Sequence, residues 1–244
     1  MEQAVYGRMR ELEQSHWWFC GRRRIIAGLL ADLDLEPPPS AQVLEVGCGP
    51  GGNLEMLRRF GAVRALEPDR EAREHAAARS GMEVAQGALP DDVVFAPGSF
   101  DLVCAFDVIE PVDDDAASVK TLAGLIRPRG FLIATVPAYG WMWSLHDEAH
   151  HHKRRYGRRG FEALFQAAGM TVIKASHFNT LLFPFVLLMR IAKRLLGITG
   201  EDDRMPPAWL NRALGKVFAA ERGCVRGAGL PFGLSIVVIA RKGR

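Results

Sequence analysis

The stretch Val43-Leu44-Glu45-Val46-Gly47-Cys48-Gly49-Pro50-Gly51-Gly52-Asn53 limits the fold of this chain more than any other segment. An aliphatic run enters a turn with four glycines in six positions, 47 to 52, and a helix-forming sequence follows. Glycine is required where the backbone takes a positive φ or lies against a ligand with no Cβ between them. A glycine turn joining a buried strand to a helix start is a site for an anionic or nucleoside-type ligand. Glu67 stands twenty residues beyond Gly47, at the end of the next aliphatic run. A carboxylate there can accept hydrogen bonds from both hydroxyls of a ribose. Turn and carboxylate together predict a nucleoside cofactor.

The pattern around that turn alternates. Strands are predicted over 43–46, 63–66, 82–85, 100–106 and 131–136, with helices over 52–60, 70–79 and 116–126. Such a rhythm gives a parallel sheet with crossover helices. Upstream, one helix-like segment reaches Leu33, and Glu36-Pro37-Pro38-Pro39-Ser40 then forces an extended linker. Downstream come a helix near 161–168, a strand at 171–175, two apolar helices between 181 and 222, and a last strand at 234–240. The charged run Glu201-Asp202-Asp203-Arg204 with Pro206 and Pro207 reads as a connector between those two helices. The predicted fold is α/β: a Rossmann-like seven-stranded sheet, mostly parallel with an antiparallel last strand that enters by a hairpin. Helices cover both faces, with helical additions at the N-terminus and before the last strand. One domain is expected over 1–244, comprising a helical lid (1–36), a cofactor-binding core (41–137), a substrate loop and helical cover (138–230) and a closing strand (231–241).

Composition narrows the function classes. With 48% apolar residues in 244, the chain has material for a well-filled core. Thirty-one basic against 28 acidic side chains leave a net charge of +3, not the one-signed field of a dedicated nucleic-acid binder. Cys20, Cys48, Cys104 and Cys224 are scattered and fit neither a disulfide framework nor a zinc knuckle. The first fourteen residues alternate charges with no apolar core of a signal, so a cytoplasmic location is expected.

Gly47, Gly49 and Gly52 also satisfy G-x-G-x-x-G, which admits a nicotinamide- or flavin-dependent oxidoreductase. Three features favour S-adenosylmethionine: Glu45 two residues before Gly47, the additional Gly51, and the lack of a second mononucleotide-binding half after the fifth strand. Over about 42–136 the sequence resembles the class I S-adenosylmethionine-dependent methyltransferase superfamily. The resemblance rests on Glu45 to Gly51, on Glu67, and on Ser99-Phe100-Asp101-Leu102-Val103 entering the fourth strand. It implies a cofactor site built from Glu45, Gly47, Cys48, Gly49, Gly51 and Asn53, with Glu67 and Pro68 at the ribose. Gly87, Ala88 and Leu89 would flank the adenine, and Phe106, Asp107 and Val108 would lie at the fourth-strand end. The product would be S-adenosylhomocysteine. Many relatives carry aspartate where this chain has Ala88, and a histidine where it has Pro111.

Two flanking segments resemble a bacterial group of these enzymes. His16-Trp17-Trp18-Phe19-Cys20-Gly21-Arg22-Arg23-Arg24 is similar to an N-terminal signature whose helix folds over the cofactor pocket. Phe19 and Arg22 are the lid candidates, Arg22 as a cation for the methionine carboxylate; a helix anchored by aromatic packing is the competing reading. Trp143, Asp147, His152, Arg154, Arg155 and Tyr156 match the group's second signature, which runs on through Asn179 and Pro184. The loop 139–156 leaves the carboxyl edge of the sheet, where ligands bind. His152 and His146 are therefore the candidate bases, and Asp147 and Tyr156 the further catalytic candidates. A histidine titrating near neutrality can remove the acceptor's proton; alternatively, the enzyme acts by proximity alone. No metal site is expected, since His146, His150, His151 and His152 have no matching ligand set at standard spacing.

The tail around 178–196 is apolar, with Arg190, Lys193 and Arg194 at helical spacing. It reads as a cover for the substrate pocket with Pro184 as a kink, or as half of a homodimer interface. The competing reading is an interfacial helix making peripheral contact with the inner membrane face. At 175–189 the uncharged stretch is shorter than the ~20 residues that span a bilayer. The sequence thus implies S-adenosylmethionine-dependent O- or N-methylation of a small-molecule or lipid-like acceptor, by a monomer or a homodimer. An NAD(P)-dependent oxidoreductase and a non-catalytic S-adenosylmethionine-binding module remain as alternatives.

Overall fold

The computed structural model describes residues 3–196 and 205–244. β1 (Gln42–Val46) is buried along nearly its whole length because its aliphatic side chains are covered on both faces. It lies between β2 (Ala62–Leu66) and β4 (Phe100–Phe106); β3 (Val84–Ala85), β5 (Ile126–Pro137), β6 (Met170–Phe178) and β7 (Ser235–Lys242) complete the order β3-β2-β1-β4-β5-β7-β6. Every pairing is parallel except those of β7, which runs antiparallel to both β5 and β6. The seven-stranded sheet with its reversed last strand is as the sequence predicts.

Helices flank the sheet in the order α1 (Gln3–Leu12), α2 (Trp17–Leu30), α3 (Leu54–Leu57), α4 (Arg70–Ser80), α5 (Asp115–Leu125), α6 (Leu145–Ala149), α7 (Arg158–Ala167), α8 (Phe183–Leu196), α9 (Ala208–Ala220) and α10 (Arg222–Arg226). Successive strand residues point to opposite faces, and the core divides accordingly. Leu44, Val46, Val103, Leu132, Ala134 and Val238 meet Val119, Leu122, Phe161 and Phe165 of α5 and α7. Val43, Leu102, Cys104, Ile133, Val237 and Ile239 meet Ile25, Ile26, Leu29 and Leu30 of α2 and Phe218 of α9.

Several boundaries differ from the sequence reading. The N-terminal segment is two helices, because the side chain of His16 caps α2 by accepting from the Trp18 N–H (3.3 Å). The glycine turn leads into a single helical turn at α3, not a helix over 52–60. Pro184 sits in the first turn of α8, where its missing N–H is harmless, so it starts that helix and does not kink it. The last strand does not arrive by a hairpin: it inserts between β5 and β6 after the chain has passed through α8, α9 and α10. The predicted connector residues Glu201 to Arg204 lie outside the described residues, as do the side chains of Lys193 and Arg194. Among the described residues no helix is long and apolar enough to cross a membrane.

Candidate active site

A cavity of about 470 Å³ opens along the carboxyl ends of β1, β2, β4 and β5. The glycine turn forms its floor. Gly47, Gly49 and Gly51 all take positive φ, between 54° and 89°. A Cβ on Gly47 would come within 2.6 Å of Val108, and one on Gly51 within 3.0 Å of Ala76, so the turn is glycine for packing as well as conformation. The Gly47 amide donates to the Leu66 carbonyl (2.7 Å), which ties the turn to the end of β2.

The Glu67 carboxylate lines the cavity and accepts from the amides of Gly49 (2.8 Å) and Asp69 (3.0 Å). Glu45 lies beneath the turn and not on the cavity wall. Its Oε1 accepts from the Asn53 amide nitrogen (2.7 Å), and complete burial pushes its carboxyl up to about 8. Cys48, Asn53, Pro68, Ala88, Leu89, Phe106, Asp107 and Val108 line the cavity alongside Gly47 and Gly49. The structure thus brings together every cofactor-site residue expected from the sequence except Glu45 and Gly51, which shape the turn from behind.

The lid segment closes the same cavity. Trp17, Trp18, Phe19, Arg22 and Arg23 of α2 line it, as do Met9, Leu12 and Glu13. Arg22 is buried, with its guanidinium over the Trp18 ring (4.5 Å to the centroid) and paired with the Asp107 carboxylate. Glu13 pairs with Arg79 of α4. Two tethers come from the other end of the chain: Asn211 of α9 accepts from the Trp17 amide (2.8 Å) and donates to the Ser15 carbonyl (2.7 Å). Trp17 and Trp18 both line the cavity and pack against the core, so the lid and anchor readings describe two sides of one helix.

On the opposite wall stand His146, His150 and His152, with ring centroids 4.1 to 6.1 Å apart. His152 is fixed from behind. Its Nδ1 lies 3.1 Å from Oδ1 of the fully buried Asp147, which also accepts two bonds from Arg155 (2.7 and 2.9 Å) and one from the Ser144 amide (2.8 Å). Burial alone would raise the Asp147 carboxyl, but the hydrogen bonds from His152 and Arg155 prevail and hold it well below the usual carboxylate range. Nε2 of His152 faces Glu110 at 3.5 Å. Burial, reinforced by the nearby Asp107 charge, pushes the Glu110 carboxyl well up and favours its protonated form.

Two catalytic candidates from the sequence are not on the cavity wall. Asp147 stands behind His152 as a positioning residue. Tyr156 points away: its hydroxyl donates to Asp115 (2.8 Å) and its ring packs on Phe161, while burial and Asp115 raise its pKa. Among the described residues no set of three or more His, Cys, Asp or Glu is arranged to hold a metal ion.

Asn179 is a site residue beyond the candidates that the sequence offers. It follows β6, takes φ 59°, lines the cavity and is 1% exposed, yet both ends of its carboxamide lack a hydrogen-bond partner. Its place in the second signature is the signal that the sequence offers, because the strand predicted at 171–175 ends four residues short of it; asparagine also tolerates the left-handed region better than most side chains.

Fold and cavity define a Rossmann-like domain with one chamber that runs from the glycine turn to a wall of histidines. The chain belongs to the methyltransferase domain family, which it matches over residues 20–175. Of curated proteins, it is 38% identical over 111 residues to a ubiquinone biosynthesis O-methyltransferase of Methylobacterium sp. (strain 4-46), a match covering 43% of this chain and 44% of that one. The match thus spans less than half the length of the curated relative. In solved structures, a chain from Haloferax volcanii determined with the Trm112 methyltransferase activator superposes with a TM-score of 0.63, at 17% identity, over 99% of this chain and 96% of that one. Phosphoethanolamine N-methyltransferase 2 of Haemonchus contortus with S-adenosyl-L-methionine gives 0.60 at 15% identity, over 90% of this chain and 52% of that one.

The family decides between the cofactors that the glycine turn left open, in favour of S-adenosylmethionine. The residues present fit it. The side-chain-free Gly49 faces the cavity beside the Glu67 carboxylate, and Phe106, Val108 and Leu89 offer apolar walls.

Proposed function

We propose that this chain methylates an oxygen or nitrogen atom of a small-molecule or lipid-like acceptor, with His152 as the base. When bound, S-adenosylmethionine supplies an electrophilic methyl group on a sulfonium. Gly47, Gly49 and Asn53 would hold its amino-acid portion, Glu67 the ribose, and Ala88 and Leu89 the adenine. The observation that carries the base assignment is the buried Arg155–Asp147–His152 chain, which fixes one imidazole at the cavity wall.

Asp147 holds the proton on Nδ1, so Nε2 is the nitrogen able to receive the acceptor's proton. His146 and His150 extend the polar wall, and the unpaired carboxamide of Asn179 can orient the acceptor by donating and accepting at once. The name of the curated relatives supports oxygen as the methylated atom.

Titration calorimetry with S-adenosylmethionine tests the cofactor site, and saturable binding lost in Glu67→Ala is expected. Incubation with labelled cofactor and fractionated cell extract tests the transfer. His152→Ala should lower kcat by about a hundredfold on the acceptor so found, whereas a drop of less than about tenfold would leave proximity as the mechanism.

A further inference from the structure

We infer that Glu221 is a positioning residue: from the junction of α9 and α10 it holds the segment after β6 in the conformation that presents Asn179 to the chamber. That segment runs from Phe178, the last residue of β6, to Leu181. Asn179 within it takes φ 59° and is 1% exposed, with neither end of its carboxamide hydrogen-bonded. Each of these costs free energy. A side chain with a Cβ strains in the left-handed region, asparagine less than most, and a buried amide without a partner loses the hydrogen bonds it had in water. Such a conformation persists only where its surroundings over-determine it, so the neighbours of the segment say what keeps it.

One side is held by the chain that enters β7. The Thr180 hydroxyl donates to the Phe232 carbonyl, and the Leu234 amide donates to the Asn179 carbonyl (3.4 Å). A Cβ on Gly233 would come within 2.4 Å of the Phe178 carbonyl oxygen, so the close approach requires glycine there. The other side is held by Glu221. It is 2% exposed, lies forty positions beyond Leu181, and its Oε1 accepts from the Leu181 amide at 2.7 Å. Burial raises the pKa of its carboxyl; the amides of Leu181, Thr180 and Asn179, and no cation, work against that rise. Three successive amides gathered on one carboxylate form a backbone nest, which fixes the φ and ψ angles of the segment, those of Asn179 included. A glutamate that merely joined two helices would keep its carboxylate in water, since burying one is costly. Glu221 is buried instead against the backbone of a residue that lines the cavity. The part Asn179 plays toward the acceptor rests on the function proposed above, whereas the grip of Glu221 on the segment does not.

Nuclear magnetic resonance of the isotope-labelled protein tests the inference without an acceptor. The side-chain amide signal of Asn179 is the one missing from Asn179→Gly. In Glu221→Met, which fills the space but accepts no hydrogen bond, that signal should shift or broaden. In Glu221→Gln, which still accepts, it should stay at its original position, with circular dichroism and S-adenosylmethionine calorimetry unchanged in both variants. An Asn179 signal that Glu221→Met leaves in place, or that both substitutions displace alike, overturns the inference. In the unsubstituted protein the Leu181 amide should exchange with solvent about a hundredfold more slowly than an open turn allows, although that residue is 56% exposed. Rapid exchange overturns the inference whether or not Glu221→Met folds. On a cell-extract fraction that takes labelled methyl from S-adenosylmethionine, Glu221→Met should raise the half-saturating amount about tenfold with kcat held, and Glu221→Gln should restore it. Half-saturation unchanged while Asn179 is displaced would overturn its role toward the acceptor. Absence of any transfer by the unsubstituted chain would sink the methyltransferase reading and leave the positioning of Asn179 to be judged by its signals.

Discussion

At the scale of single residues, three buried polar groups make separate predictions. Asp147 is held in its charged form by five hydrogen bonds, so Asp147→Asn strands the Arg155 guanidinium in a buried site. Breaking a buried pair of this kind costs about 3–5 kcal/mol, readable as a lower midpoint in urea denaturation. Its pKa is lower in the folded chain than in the unfolded one, so its contribution is present above the ordinary value of 3.8 and is lost as pH falls below it. Glu45 behaves in the opposite sense. Its folded pKa is raised from 4.5 to about 8, so between those values the unfolded chain releases a proton that the folded chain keeps, and stability falls as pH rises. Glu45→Gln can still accept from Asn53 and should flatten that slope in denaturation curves recorded from pH 5 to pH 8. Asn179→Gly keeps the backbone freedom needed at φ 59° and removes a carboxamide that has no partner in the chain. Stability should change by less than about 1 kcal/mol and cofactor affinity should hold, while KM for the acceptor rises. An unchanged KM would make Asn179 a purely structural residue.

At the scale of elements, the parts legible in sequence are those governed by local pattern. The strand–turn–strand run from Val43 to Glu67 could be read because glycine, aliphatic period and terminal carboxylate act over twenty-odd residues, and the structure puts them where that pattern requires. Gly47→Ala should accordingly abolish cofactor binding in calorimetry, since the added methyl meets Val108 at 2.6 Å and the residue must hold φ 66°. What escaped the sequence depends on distant partners. The break between α1 and α2 needs His16 as a cap, and the burial of Glu13 there is tied to Arg79. Tyr156 belongs to a signature rich in catalytic side chains, yet its direction is set by Asp115, forty-one positions earlier. The apolar spacing of α8 admits either a covered face or an interfacial one, and it is the packing of the fold that leaves Phe185, Leu188, Ile191 and Leu196 exposed. The lid makes its own prediction: Arg22→Ala leaves Asp107 without its buried cation, and about 3–5 kcal/mol of stability should be lost, together with tight cofactor binding.

At the scale of the whole molecule, inserting β7 between β5 and β6 makes the sheet's far edge depend on the last residues of the described chain. The lid shares that dependence. Asn211 grips the backbone on either side of His16 from 194 and 196 positions away. During synthesis from the N-terminus, the glycine turn and its carboxylate are complete long before α9 emerges, while the helix that roofs them still lacks its clasp. A nascent chain, or one clipped before α9, would therefore carry a furnished but unroofed chamber, and protection of Trp17 and Trp18 from solvent quenchers would report the moment at which α9 finds α2.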